Sequence, residues 1–385
     1  MSERKRRRRR LRVAQLVDCF LSISEVFIYE LIRSLQSVEN FVVTRQIRNR
    51  ELFPFEPLYL LDGHGRKRIK SILGRIGLGS DCDLAGAESI IGAEGADLVH
   101  AHFGLLGARA VVLKRRLGIP LITSFYGVDA SKQAKEPGNQ KLFRMLFEEG
   151  DLFLAEGTAM KCRLIDLGCP HDMIAIQHLG VDVEQFAYIE RPLHGSGGNF
   201  RLLFCGRFVE KKGLLDALAA VKLVRGEGMD LEFRVVGDGP MREEAEGFVE
   251  DNFLSPYVHF LGMIDHNAYK KELYGAQLLI APSRVAEDGD TEGGAPTVLL
   301  EAQASGLPVL STTHADIPEY VVNGEGGILV GEGDVKALAT ALTSLIRRPQ
   351  ELRKMGKLGR LHVVENYNIH HEACKLERKY EEVSS

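Results

Sequence analysis

Two acids, three small residues and a proline fall together in DGDTEGGAPTVLLEAQASG, Asp288 to Gly306. Glu292 stands in a polar loop. Gly293, Gly294 and Ala295 let a backbone pass close to something bulky, and Pro296 opens an apolar run that contains Glu301 and ends at Gly306. Proline suits the first turn of a helix, where its missing N–H would have no partner anyway, and glycine suits the stop. The stretch therefore predicts a loop, a small-residue turn and a helix of about three turns opened by Pro296. Free N–H groups at such a helix start attract an anion. Carboxylates make poor partners for phosphate but good acceptors for sugar hydroxyls. The combination suggests a phosphorylated sugar, its phosphate on the helix end and its hydroxyls on Glu292 and Glu301. The plainer alternative is an ordinary loop before a buried helix, with Glu301 on the wet side, since one Gly-rich turn is a weak signal.

A second cluster lies in CGRFVEKKG, where Arg207 and Lys212 follow a strand end and Gly213 precedes a helix. Two fixed cations there would clamp a diphosphate and steady the charge on it as a leaving group; the alternative is a solvent-facing basic loop. In the front half, His100 and His102 are two apart on a strand and share a face. No third ligand is in register for a metal, so His102 reads as a hydrogen-bonding group at the strand end. The acidic pairs Asp81/Asp83 and Asp288/Asp290 have a spacing that some transferases use for a divalent ion, and both read as ordinary loop acids.

These residues need a scaffold that gathers strand ends. Leu11–Val17 and Phe41–Thr44 read as strands, with a helix between them that Ser24 caps and Glu25 opens. From Asp97, strands DLVHAHFG, PLITSFYG and DLFLAE alternate with helices over Leu106–Leu117, Lys141–Phe147 and Thr158–Leu167, and DMIAIQHLGVD carries a further strand. From Phe200 the rhythm restarts with RLLFCG, LEFRVVG, YVHFLG, QLLIAPS, LPVLSTTH and GGILV, again with helices between most of them. A long charged helical tail runs from Gln350. Alternation of this kind gives parallel βαβ units, which bind ligands beyond the carboxyl ends of their strands. That rule marks His100/His102, Tyr126/Asp129 and Glu156/Gly157. The Gly-, Pro- and Ser-rich stretch 182–199 reads as a linker. The expected divisions are a basic tail (1–10), a first domain (11–181), the linker, a second domain (200–366) and a final helix (367–385) packing on the first.

The 385 residues, 45% hydrophobic and 26% charged, are those of a globular protein of two or three domains. No apolar run reaches the ~18 residues of a membrane span, and the basic start lacks the apolar core of a secretory signal. The six cysteines show no CxxC pair and read as reduced thiols, which places the chain in the cytoplasm. Residues 1–12 hold eight Lys or Arg and one Glu against a formal total of −4. Arg66, Lys67, Arg68, Lys70 and Arg75 surround Ile69, Ile72, Leu73 and Ile76 at helical spacing. Both stretches suit the anionic inner face of a membrane; a solvated tail and a core-facing surface helix are the alternatives. Nucleic acid is not an expected partner.

Taken together, GRFVEKKG (206–213), VVGDGP (235–240), VHFLG (258–262), APS (281–283), EGGAPTVLLEAQASGLPV (292–309) and HLGVD (178–182) resemble the family 4 glycosyltransferases of the GT-B fold. SEVFI (24–28) and VHAHFG (99–104) resemble the subgroup that makes colanic-acid-type exopolysaccharides. The resemblance implies an α/β protein of two facing Rossmann-like domains with a cleft between them and a C-terminal helix crossing back to the first. It implies retaining hexosyl transfer, without a metal or other cofactor, from a nucleotide-diphosphate sugar to a glycan or polyprenyl-linked acceptor. By likeness, Arg207 and Lys212 hold the diphosphate beside Gly206, and Gly293, Gly294, Ala295, Pro296 and Thr297 meet the distal phosphate. Glu301 takes the ribose hydroxyls, Glu292 faces the sugar ring beside the anomeric carbon, and Asp238 and Gly239 lie near the base. His102, Tyr126, Asp129 and Glu25 fall on the acceptor side. Two departures stand out. Glu292 and Glu301 are nine apart where the family usually has eight, a difference a loop can absorb. Tyr126 stands where the family often has His; it can donate a hydrogen bond but is a poor base at neutral pH. An epimerase or hydrolase of the same fold, and a silent nucleotide-sugar-binding partner, are the rival readings.

Overall fold

The computed structural model describes residues 9–22, 25–61, 84, 86–192 and 199–385. The cap expected at Ser24, the basic pattern at 66–75, the Asp81/Asp83 pair and most of the basic tail lie outside them. The chain divides into two compact units. The first takes Met1–Ala155, Lys161–Gln177 and Ile369–Ser385, and the second takes Glu156–Met160 and His178–Asn368.

Unit 1 is a seven-stranded parallel sheet in the order β3-β2-β1-β4-β5-β6-β7. Its strands are β1 (Arg12–Phe20), β2 (Glu39–Ile47), β3 (Leu58–Leu60), β4 (Leu98–His102), β5 (Leu121–Ser124), β6 (Leu152–Ala155) and β7 (Ile174–Ile176). The helices along this half of the chain are α1 (Val26–Ser34), α2 (Ala87–Ala93), α3 (Gly104–Leu117), α4 (Pro137–Glu149) and α5 (Thr158–Asp166), the last beginning in the Glu156–Met160 segment of unit 2. β4 and β5 are buried along their whole length, as parallel strands covered on both faces must be. Two elements have no counterpart in the sequence reading. β3 is three residues long, too short for a periodicity to register. α2 starts after Gly86 at φ +93°, without a polar cap to announce it.

Unit 2 is a six-stranded parallel sheet in the order β10-β9-β8-β11-β12-β13. Its strands are β8 (Phe200–Cys205), β9 (Leu231–Val236), β10 (Val258–Gly262), β11 (Leu278–Ala281), β12 (Val309–Thr312) and β13 (Gly327–Val330). Around them run α6 (Leu214–Gly226), α7 (Arg242–Asp251), α8 (His266–Gly275), α9 (Thr297–Ala304), α10 (Ile317–Tyr320), α11 (Val335–Arg347) and α12 (Pro349–Asn366). The chain leaves β8 toward β9 on one side, and β11 takes the other. The switch of direction therefore falls between β8 and β11, the place where sheets of this kind bind ligands.

The charged tail is two helices, not one. α12 stops at Tyr367, whose carbonyl accepts from the Val181 N–H at 2.9 Å. The chain then resumes as α13 (Ile369–Val383), which belongs to unit 1. Glu377 accepts from the Gln36 and Ser37 N–H groups. Glu372, with no exposed surface, accepts from Gln177 Nε2 at 2.9 Å. Tyr380 Oη lies 2.7 Å from His100 Nδ1 and accepts from Gln15 Nε2 at 3.2 Å. The other nitrogen of His100 meets Ser124 Oγ at 2.8 Å. Among the described residues no helix is long and apolar enough to cross a membrane.

Burial holds the His100 imidazole down at about 3, and burial together with the neighbouring His100 keeps His102 well below the ordinary range. The unfolded chain binds a proton on each ring below pH ~6.5 that the folded chain refuses. Stability from this source is therefore full above pH ~6.5 and lost as the pH falls from there toward 3. Urea unfolding at stepped pH should show that decline, and His100→Asn should remove about one proton from its slope. An unchanged slope would mean that the ring titrates alike in both states.

Candidate functional site

The loop after β8 is shaped by what it must avoid. Gly213 has φ +67°, and a Cβ there would stand 2.0 Å from the Pro282 carbonyl oxygen, so the loop lies directly on the exit of β11. Phe208, fully buried, anchors its middle: its N–H donates to the Asp238 carbonyl at 2.9 Å, and its carbonyl accepts from the Met241 N–H at 3.1 Å. The loops after β8, β9 and β11 thus form one group at the carboxyl edge of unit 2.

A short helical turn, Glu210–Lys212, splits the two lysines. Lys211 turns inward, 5% exposed, and reaches Asp290 Oδ1 and the Thr291 carbonyl, each at 3.0 Å. Lys212 places Nζ between the two carboxylate oxygens of Glu292, at 2.8 and 3.0 Å. Ser283 Oγ donates to Glu292 Oε1 at 3.0 Å. Burial alone would push the Glu292 carboxyl up; Lys212, then Lys211, and the hydrogen bonds from Lys212 and Ser283 outweigh it and hold the group below the usual range. Glu292 is an ionised acid in a nearly closed site. Arg207, in the same loop, is exposed and pairs with no acid among the described residues.

The small residues behave as their types require. Gly293, Gly294, Ala295 and Pro296 are buried, and a Cβ on Gly294 would approach the Glu156 Cβ to 2.7 Å. Pro296 is not the first helical residue. Its ψ of 129° makes it the residue before the helix, Thr297 opens α9, and the helix is eight residues long, two turns and not three. The helix start carries no side-chain cap; the Leu299 N–H turns back to the Pro296 carbonyl at 3.0 Å, and those of Thr297 and Val298 retain the affinity for an anion expected of a helix start. One turn on, Glu301 accepts from Tyr269 Oη at 2.5 Å. Both Glu301 and Lys212 act on the thiol of Cys205 at the end of β8, which burial, then Glu301, pushes up to about 12. Lys212, Glu292 and Glu301 therefore gather about the exit of β8. Gly206 joins them, an ideal Cβ on it lying 3.8 Å from Lys212 Cδ. Asp238 is half-exposed; it accepts from the Gly239 N–H at 2.8 Å and pairs with Arg242 at 3.2 Å.

Sequence reasoning missed Lys211, Ser283, Tyr269, His314 and Glu332. Ser283 sat in the APS motif without a role. The others are single polar residues whose partners lie 18 to 80 positions away, and no local pattern marks such pairs.

In unit 1 the loops after β1, β4 and β5 meet at the corresponding switch between β1 and β4. His102 is fully buried, with Nε2 3.0 Å from Gln15 Oε1 and Nδ1 2.7 Å from Tyr126 Oη. Tyr126 packs on Phe27 and Phe103, each with ring centroids 5.0 Å away. Asp129, expected on the acceptor side, serves its own loop in the free protein. It has no exposed surface, and its oxygens accept from the N–H groups of Gly104, Tyr126, Gly127 and Ala130 at 2.9–3.1 Å; it holds the loop in shape. Burial raises its carboxyl, against the pull of those N–H groups. Glu25 stands just before α1 and makes no side-chain cap. Among the described residues no cluster of three or more His, Cys, Asp or Glu is placed to hold a metal.

Two Rossmann-like units of this kind make up the GT-B class. The chain matches the Anabaena HepE structure in complex with UDP at TM-score 0.77 and 14% identity, covering 97% of this chain and 100% of that one. It matches the sucrose-phosphate synthase of Thermosynechococcus elongatus at 0.77 and 19%, covering 97% and 99%. The family model Glycosyltransferase Family 4 matches residues 5–185, and that of Glycosyl transferases group 1 matches residues 199–348. The putative colanic acid biosynthesis glycosyltransferase WcaL of Escherichia coli (strain K12) is 34% identical over 277 residues, 71% of this chain and 67% of that protein. The amylovoran biosynthesis glycosyltransferase AmsK of Erwinia amylovora is 32% identical over 278 residues, again 71% and 67%. WcaL of Salmonella typhimurium is 34% identical over 66% of this chain and 62% of that protein, so the match spans about two thirds of these relatives. The chain belongs to glycosyltransferase family 4.

Breaking a buried ion pair from one side strands the other charge. Lys212→Met should cost about 3 kcal/mol in urea unfolding, and adding Glu292→Gln should restore most of it. A loss under ~0.5 kcal/mol in the single variant would show that the pair does not hold the loops together.

Proposed function

We propose that this chain moves a hexosyl group, with retention and without a metal, from a nucleotide-diphosphate sugar to a hydroxyl of a glycan or lipid-linked acceptor in cell-surface polysaccharide synthesis. The observation that carries the reading is the Lys212–Glu292 pair at the switch between β8 and β11, with Arg207, which meets no acid among the described residues, in the same loop and the uncapped start of α9 following Glu292. A site with an exposed guanidinium, an ammonium and the N–H groups of a helix start takes an anion. One acid fixed against that anion suits the hydroxyls of what the anion carries. HepE was solved with UDP and with UDP-glucose, and the named relatives act in colanic acid and amylovoran synthesis, which supports the donor class and the setting.

In the reaction, Lys212 keeps Glu292 ionised and turns a remaining N–H toward the diphosphate. Arg207 closes on it as a fork, and the start of α9 meets the distal phosphate. The bond from the anomeric carbon to the phosphate oxygen breaks, and its electron pair leaves on the nucleoside diphosphate. The acceptor oxygen bonds the same carbon from the same face, and its proton passes to the departing phosphate oxygen. Glu292 steadies the positive charge that builds on the sugar. Catalysis is positioning and electrostatics.

A thermal-shift screen of UDP, GDP and ADP, followed by transfer assays with the matching sugars, tests this. Arg207→Ala and Lys212→Ala should each lower transfer by ~10²-fold or more, while Glu292→Gln should bind nucleotide and lose turnover. Full activity in Lys212→Ala would remove the assignment. The basic residues at 4–10 and 66–75 support contact with an anionic membrane; equal recovery on neutral and anionic vesicles would argue against it.

A further inference from the structure

The backbone that carries Glu292 is held from behind by a group outside the proposed donor site. His314, in the turn after β12, is 1% exposed. Its Nδ1 lies 2.8 Å from Glu332 Oε1. Its Nε2 lies 2.8 Å from Thr291 Oγ1, and the Glu292 N–H donates to the same nitrogen at 3.3 Å. An amide N–H can only donate, so Nε2 presents its lone pair and the ring proton sits on Nδ1, facing the Glu332 carboxylate. The Thr291 hydroxyl must then donate as well. Glu332 is fixed in turn, its Oε2 accepting from the Val285 N–H at 3.0 Å. One imidazole thus joins the turns after β11, β12 and β13.

We propose that His314 is a positioning residue for transfer: as the Nδ1–H tautomer it accepts the Glu292 N–H and sets where the Glu292 carboxylate stands. Lys212 and Ser283 locate that carboxylate at its oxygens; His314 locates it at its backbone. The catalytic meaning rests on the function proposed above, whereas the tie itself belongs to the free protein. A displacement of about 1 Å at a reacting group costs ~10²-fold in rate, so a backbone anchor one residue's length from the carboxylate acts on turnover before it acts on donor affinity.

Two substitutions separate the ends of the ring. His314→Asn keeps a donor near the Nδ1 position for Glu332 and offers nothing at Nε2. His314→Gln reaches the Nε2 position with a carbonyl that accepts the Glu292 N–H. Nitrogen NMR of the wild-type ring should show the Nδ1–H tautomer. Amide exchange at Glu292 in the free protein should quicken by about tenfold or more in the Asn variant and stay slow in the Gln variant. Transfer from UDP-glucose, or from the sugar of whichever of UDP, GDP and ADP binds, should lose kcat in the Asn variant, with donor KM unchanged and partial recovery in Gln. A Nε2–H ring in the wild type, or a Glu292 amide as protected in Asn as in wild type, overturns the proposal. If Asn does not fold, the wild-type tautomer and the Gln variant still decide. Absence of transfer in the wild type, with the exchange pattern as expected, overturns the donor reading and supports the tie between His314 and Glu292.

Discussion

An ammonium group held between the two oxygens of a buried carboxylate is the constraint on which unit 2 turns. Glu292 could not stand alone where it does, while Lys212 is partly exposed. Glu292 is 7% exposed, and an isolated charge at that depth would shed its ionisation or unfold its loop. Once paired, the two fix the loop after β8 against the loop after β11. The rest of the site follows from that contact. Gly213 must lack a side chain to let the first loop lie on Pro282, Lys211 must brace the second loop at Asp290 and Thr291, and Gly294 must be bare to pass Glu156.

The alternation of strands and helices was plain in the sequence, and so was the clustering of chemistry at strand exits, because parallel sheets announce themselves through short apolar runs separated by helical periods. Arg207, Lys212 and Glu292 could be picked out on that basis. What was hidden depends on direction. Nothing in EKK says which lysine turns inward; one short helical turn decides it. Pro296 suits the first turn of a helix and the residue before it almost equally, and only its ψ separates the two. Asp129 was marked by its place at a strand end, but its four N–H partners, all within its own loop or at the start of α3, are not written in the sequence. His314 gave no signal at all, because a lone histidine in STTHAD acquires meaning only when β11, β12 and β13 come side by side.

Unit 1 is organised by a different device, a line of buried polar side chains. Ser124, His100, Tyr380, Gln15, His102 and Tyr126 bond one to the next across the end of β4. Every member but Tyr126 is almost wholly buried, so each donor must find the acceptor beside it, and the line permits few arrangements. This is specificity of packing achieved with polar atoms, and it delivers Tyr126 to the loop edge with its hydroxyl already oriented.

That line includes Tyr380 from α13, a segment that follows the whole of unit 2 along the chain. Unit 2 is closed by a nearly continuous stretch ending at Asn368, but the sheet of unit 1 lacks Tyr380, Glu372 and Glu377 until α13 has been made. On the ribosome, the portion synthesised first is therefore the portion completed last. A message cut between Asn368 and Tyr380 would yield a finished second unit attached to an unfinished first.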